Sequence, residues 1–269
     1  MVYSPGYNAL ARADCQILTI HDLIHLQTSW PGRAKYLSYY NGPVRRAIRR
    51  AGVVLTVSET SRQAIEAWMN DNSVRVVNAG IGSSDAFHPD GRVEASAGPY
   101  FVYVGNLRAH KNFDTLLRAL PMTDGFRLKA VVPAGEILPA QRLVNQAGLA
   151  RRVDLLHSLD DERIAACYRG ATATFMPSLL EGFGLPALES VQCGTPVIFW
   201  SGCQAVAETV QERGWRVREG RDPEEWATVA QDALQAQLRV TPPAASAYDW
   251  NITAAKISGV LEGVLTGGR

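Results

Sequence analysis

Short apolar runs alternate along this chain with longer stretches whose apolar residues recur every three or four positions. Continuous apolar runs suit strands buried on both faces of a parallel sheet, and the longer pattern suits helices laid against it. The alternation therefore predicts an α/β fold. In the first third, CQILTI, VVLTVS and VRVVNAG are predicted strands. Between them AKYLSYYNGPVRRAIRRAG reads as helical pieces broken near Gly42 and Pro43. SETSRQAIEAWM reads as a helix with Ser58 as N-cap and Ser61 or Arg62 in its first turn.

The pattern lapses over residues 81–98, which are polar, small and punctuated by proline, a composition that fits a linker. It restarts with YFVYVG and then repeats strand and helix: NFDTLLRAL, FRLKAVV, GEILPAQRLVNQAG, RVDLL, DDERIAACYRG, ATATFMP, PALESVQCG, PVIFW, AVAETVQERG, WRVR and DPEEWATVAQDALQAQL. That is a complete doubly wound, Rossmann-like unit. The last amphipathic segment, NITAAKISGVLEGVL, is expected to fold back over the first domain. The expected division is an N-terminal domain over 1–85, a linker over 86–98, a C-terminal domain over 99–240 and a tail over 241–269. Only three strands are predicted before the linker, and VYSPGYNA reads as though a strand were already running, so the first domain is expected to be incomplete.

Composition narrows the function. With 269 residues, 46% of them hydrophobic, the chain can bury one large core or two modest ones, and two domains are expected. A net charge of +1, from 27 basic and 26 acidic side chains, supplies no global field for nucleic acid, and none is expected as a partner. Cys15, Cys167, Cys193 and Cys203 lack metal-site or disulfide-scaffold spacing. No leader-like or bilayer-spanning run is evident, so a cytoplasmic protein is expected.

The candidate chemistry centres on LLEGFGLPALES, where Glu181 and Glu189 stand eight positions apart around a glycine turn. In a doubly wound fold, ligands sit beyond the carboxyl ends of the strands, where helices begin. Gly182 and Gly184 permit close backbone approach, Pro186 suits a first helical position, and the amides near Gly184 and Leu185 favour an anion such as phosphate. Carboxylates would repel a phosphate but accept hydroxyl protons, so a molecule with hydroxyls on both sides of a phosphate group, a nucleotide sugar, fits. The alternative is a turn cap at Glu181 and a solvated first-turn acid at Glu189. In YVGNLRAHKNFDTLL, a strand, a glycine and a basic loop precede a helix with Asn112 as candidate N-cap. Arg108 and Lys111 could neutralise a diphosphate there, or form a plain solvated basic loop.

YVGNLRAHKN followed by PSLLEGFGLPALESVQCGTPV resembles glycosyltransferase family 4, retaining enzymes of the GT-B fold, and the similarity runs from TIHDLIHLQ to the final helix. It implies two Rossmann-like domains with parallel sheets and transfer of a mannose- or glucose-type hexosyl group from a GDP- or UDP-sugar to a hydroxyl, without metal or other cofactor. Glu181 would bind sugar hydroxyls, Glu189 the ribose, Gly184 and Leu185 the sugar or phosphate, and Lys111 with Arg108 the diphosphate. LLHSLDD, with Leu159, would contact the base; Gly105, Asn106, Gly182 and Phe183 complete the expected set. His21 would be the active-site histidine facing the donor sugar. Metal ligation by His21, Asp22 and His25 is disfavoured by the lack of a third histidine or cysteine nearby, and a structural histidine is the other reading. No carboxylate is placed as a covalent nucleophile, so the resemblance implies a front-face route in which the departing diphosphate helps take the acceptor's proton.

Asn106 stands where the family usually has arginine. The shortened first domain leaves two further readings, a nucleotide-sugar-binding or scaffold protein and a nucleotide-sugar hydrolase. An open sheet edge favours a homo-oligomer. Arg33, Lys35, Arg45, Arg46, Arg49 and Arg50, with Trp30, Tyr36, Tyr39 and Tyr40 and no acid among them, suit either a solvated helix face or peripheral contact with the inner membrane face near a saccharide or lipid-linked acceptor.

Overall fold

The structure is a computed structural model that describes residues 1–10 and 13–266. The chain forms two units. The first takes Met1–Ser83, Glu181–Phe183 and the segment from Ala244 onward; the second takes Ser84–Leu180 and Gly184–Pro243.

In the first unit four parallel strands follow chain order: β1 (Val2–Ser4), β2 (Gln16–Leu18), β3 (Val53–Thr56) and β4 (Arg75–Asn78). β1 pairs with β2 and β3 with β4, and a single bridge between Thr19 and Leu55 joins the pairs. Strand side chains alternate between faces, so each apolar run feeds two cores. Leu18, Ile20 and Val54 pack with Tyr40, Val44, Ile48 and Ile65 on one side. Ile17, Val53 and Leu55 pack with Val260 and Ile257 on the other.

The helices of this unit are α1 (Ile24–Gln27), α2 (Arg33–Tyr39), α3 (Arg45–Ala51), α4 (Glu59–Met69) and α11 (Trp250–Leu265), the intervening numbers belonging to the second unit. Gly42 and Pro43 do not break the helical run, although their sequence suggested that they would. They sit in a π turn, Tyr40–Val44, that carries α2 into α3. A wider turn absorbs a residue that cannot donate to the helical ladder. Ser58 is the N-cap of α4, its Oγ accepting from the Ser61 amide at 3.0 Å, as its sequence predicts.

The second unit is a six-stranded parallel sheet in the order β10-β9-β8-β5-β6-β7. The strands are β5 (Tyr100–Val104), β6 (Arg127–Val131), β7 (Val153–Leu156), β8 (Thr174–Met176), β9 (Val197–Trp200) and β10 (Gly214–Val217). The helices are α5 (Phe113–Ala119), α6 (Ile137–Gln146), α7 (Asp161–Gly170), α8 (Leu185–Gln192), α9 (Gln204–Val210) and α10 (Pro223–Ala236). α9 ends short of its predicted extent because Gln211 takes a positive φ of 55°. Phe101, Tyr103, Leu128 and Phe175 face α5, α6 and α10, with Trp226 fully buried among them. Tyr100, Val102 and Val131 face α7 through Ala165 and Tyr168.

Residues 86–98 contain no helix or strand, but they do not hang free. Phe87 is buried against Tyr168. The Arg169 guanidinium, 4% exposed, donates to the carbonyls of Ala86, His88 and Arg92.

Candidate functional site

Strand order reverses direction in the second unit between β5 and β8, neighbours in the sheet though not in sequence. At such a switch point the flanking loops diverge and leave a crevice beyond the carboxyl ends. The two segments singled out by sequence, 105–112 after β5 and 177–184 after β8, are those loops. They are joined directly: the Leu179 amide donates to the His110 carbonyl at 2.7 Å.

In the first loop, the Gly105 amide donates to the Val131 carbonyl, and a Cβ on Gly105 would stand 2.8 Å from the Tyr103 hydroxyl. Asn106 shapes the turn: its Oδ1 accepts from the Arg108 amide at 3.1 Å and its carbonyl from Tyr103 Oη at 2.7 Å. Glu136, which sequence analysis did not single out, accepts from the Leu107 amide at 2.6 Å. Arg108 is exposed, and Lys111 closes the short 3-10 turn Ala109–Lys111. Asn112 precedes α5 but caps no helical amide with its side chain. It adopts φ 55°, its Oδ1 accepts from Thr115 Oγ1 at 2.7 Å, and its Nδ2 donates to the carbonyls of Pro177 and Gly220 at 3.2 and 2.7 Å. These partners lie 65 and 108 residues away, beyond any local pattern.

α8 begins at Leu185 behind Gly184, whose φ is 92°. The first amides of a helix lack partners within it and carry the positive end of its dipole. Glu189, one turn in, is not a solvated acid. Its Oε2 accepts from the buried Tyr168 hydroxyl at 2.9 Å, and loss of hydration pushes its carboxyl up to about 7 despite that hydrogen bond, with Asp161 adding to the rise. Burial also raises the Tyr168 hydroxyl well above its ordinary value. Leu159, in the loop between β7 and α7, is partly buried against the cluster that holds Tyr168.

The remaining predicted residues belong to the first unit. His21 is exposed just beyond β2, its Nε2 3.1 Å from the Pro5 carbonyl. Its own carbonyl accepts from Ser61 Oγ, which also reaches the Gly182 carbonyl at 2.9 Å; Ser58 Oγ donates to that carbonyl too. A Cβ on Gly182 would stand 2.8 Å from Asp22 Cβ and 2.9 Å from the His21 carbonyl. The start of α4 thus brings Glu181–Phe183 beside His21. Phe183 meets the Tyr248 ring edge-on at 5.9 Å.

His25 packs between Tyr36 and Tyr40, and burial lowers its pKa. Among the described residues no group of three or more His, Cys, Asp or Glu could hold a metal ion. In the basic stretch, Arg33 donates to the Leu26 carbonyl, Arg45 to that of Trp68, Arg49 to Asp71 and Arg50 to the Ala13 carbonyl. Four of its cations are therefore held by the unit they sit on. No described helix is long and apolar enough to cross a membrane.

Solved structures share this fold. Sucrose-phosphate synthase from Thermosynechococcus elongatus superposes with a TM-score of 0.79 at 21% identity, over 93% of this chain and 68% of that one. The Anabaena HepE protein in complex with UDP and glucose gives 0.62 at 16% identity, over 94% of this chain and 71% of its own. The fold is GT-B. Residues 87–247 match the family described as Glycosyl transferases group 1, and the chain belongs to that family. It is 26% identical over 231 residues to O-antigen chain mannosyltransferase B of Escherichia coli, covering 79% of this chain and 59% of the relative. It is 32% identical over 209 residues to the D-inositol 3-phosphate glycosyltransferase of Mycolicibacterium paratuberculosis, covering 72% and 46%. The chain spans about half the length of these curated relatives.

Proposed function

We propose that this protein transfers a hexosyl group, of mannose or glucose type, from a GDP- or UDP-sugar to a hydroxyl of a saccharide or lipid-linked acceptor, with retention of anomeric configuration and without a metal ion. The observation that carries this reading is the tie between the Arg108–Lys111 turn and the loop that leads to α8 at the β5/β8 switch point. Cations and first-turn helical amides at one crevice suit a diphosphate. The family membership and the activities of the named relatives point the same way.

In this reading Arg108 and Lys111 hold the diphosphate and stabilise the charge that grows on it as the glycosidic bond breaks. The amides of Gly184 and Leu185 bind sugar or phosphate, Glu189 takes the ribose hydroxyls, Glu181 the sugar hydroxyls, and His21 serves the reacting sugar. With no carboxylate assigned as a covalent nucleophile, the acceptor attacks from the leaving-group side, and the departing diphosphate receives its proton.

The test is a panel of UDP- and GDP-sugars, with release of nucleoside diphosphate followed with and without simple acceptors. One donor is expected to be consumed in an acceptor-dependent way, and Glu181→Ala to abolish release. Acceptor-independent release would identify a hydrolase instead. Binding of a nucleotide sugar without release, seen as a raised melting temperature, would reduce the protein to a binding or scaffold role.

A further inference from the structure

We propose that Asn112 is a positioning residue that clamps three loops around the crevice and sets the spacing between the phosphate-binding cations and the start of α8. The proposal rests on the function proposed above and adds a residue that touches no substrate atom in it.

Asn112 lies at the end of the β5 loop, next to Lys111. Its φ of 55° belongs to the left-handed region, which asparagine tolerates better than most residues. Thr115 Oγ1 donates to its Oδ1, which fixes the amide so that Nδ2 faces the other way. Nδ2 then donates to Pro177, the first residue after β8, and to Gly220, in the loop between β10 and α10. One amide group therefore spends its donors on two loops and its acceptor on its own helix.

Both ends of the clamp are anchored. The Gly220 carbonyl also accepts from Trp226 Nε1 at 3.0 Å, and Trp226 is fully buried. A Cβ on Gly220 would stand 2.7 Å from the Trp200 ring, so that loop lies pressed against an aromatic face. On the β8 side, the Leu179 amide is bonded to His110, two residues before Asn112. Phosphate contacts made by the β5 loop and sugar contacts made at α8 are thereby held in one frame. Such a frame pre-organises binding without contacting the ligand.

Two substitutions separate the side chain from the backbone. Asn112→Asp keeps the shape and the acceptor but loses the amide donors and turns a carboxylate toward two carbonyls. Asn112→Gly keeps the left-handed backbone and removes the side chain. Both should raise amide hydrogen exchange at Leu179, and both should weaken UDP and GDP binding in calorimetry by about tenfold, measured at a temperature where the variants remain folded. Thr115→Val frees the amide to turn and should show the same pair of effects more weakly; it also serves if the Asn112 variants do not fold.

Unchanged exchange at Leu179 would overturn the clamp. Raised exchange with unchanged nucleotide affinity would overturn the positioning role. If the wild-type protein bound neither nucleotide, the donor-site reading would fail, while the exchange measurement would still decide whether Asn112 ties the loops.

Discussion

Glu189 shows how burial acts on a single carboxyl group of the candidate site. Its folded pKa of about 7 lies above the ordinary carboxylate value of 4.5, so the folded protein binds this proton more tightly than the unfolded chain does. The associated stability is complete below pH 4.5 and is lost as pH rises toward 7, a change of roughly 3 kcal/mol at most. Glu189→Gln removes the titration and keeps an acceptor for Tyr168. Its stability advantage over wild type in urea unfolding should be near zero at pH 4 and grow until about pH 7; a difference independent of pH would mean that the carboxyl is not desolvated. The acid itself was visible in the sequence, but its burial was not. That depends on Tyr168, which lies 21 residues back, on another helix.

At the scale of elements, the glycine turn before α8 is the most demanding junction. Gly184 has φ 92°, and a Cβ there would lie 3.1 Å from Val206 Cγ2 on α9. Gly184→Ala should cost about 1–2 kcal/mol in unfolding free energy, from left-handed strain and from crowding against α9. It should also weaken nucleotide binding, because the first turn of α8 must shift. Wild-type stability in denaturant titration would show that the junction relaxes freely. Turns of this kind were legible, since glycine and proline announce them and Ser58 announces the start of α4. The π turn around Pro43 was not, because a proline signals a lost amide and leaves open whether the helix stops or widens around it. Asn112 is a similar case: its place before α5 suggested a cap, and its actual partners are carbonyls on distant loops.

At the scale of the whole chain, the alternation of apolar runs was enough to read the second unit, because its central strands β5, β6, β8 and β9 are almost wholly buried, while the edge strands β7 and β10 carry Asp154 and the exposed Arg216 and still keep apolar neighbours around them. β1 was harder to read, being three residues long and only half-buried. The 86–98 segment reads as a polar linker, and Arg169 draws it onto the second unit through carbonyls at Ala86, His88 and Arg92. A buried guanidinium stripped of its partners costs roughly 3–5 kcal/mol. An excised fragment spanning 84–243 should therefore unfold cooperatively on heating, while one starting at residue 99 should melt far lower or not fold. Equal melting of the two would show that the segment contributes nothing.

The same latch governs how the chain can be cut. The peptide bond after Arg92 is a tryptic site by sequence, but the Arg92 carbonyl is an acceptor for the buried guanidinium. Scission there has to wait until α7 lets go. The rate of nicking at this bond would then act as a clock for local opening of the second unit, and a ligand that steadies that unit would slow the clock.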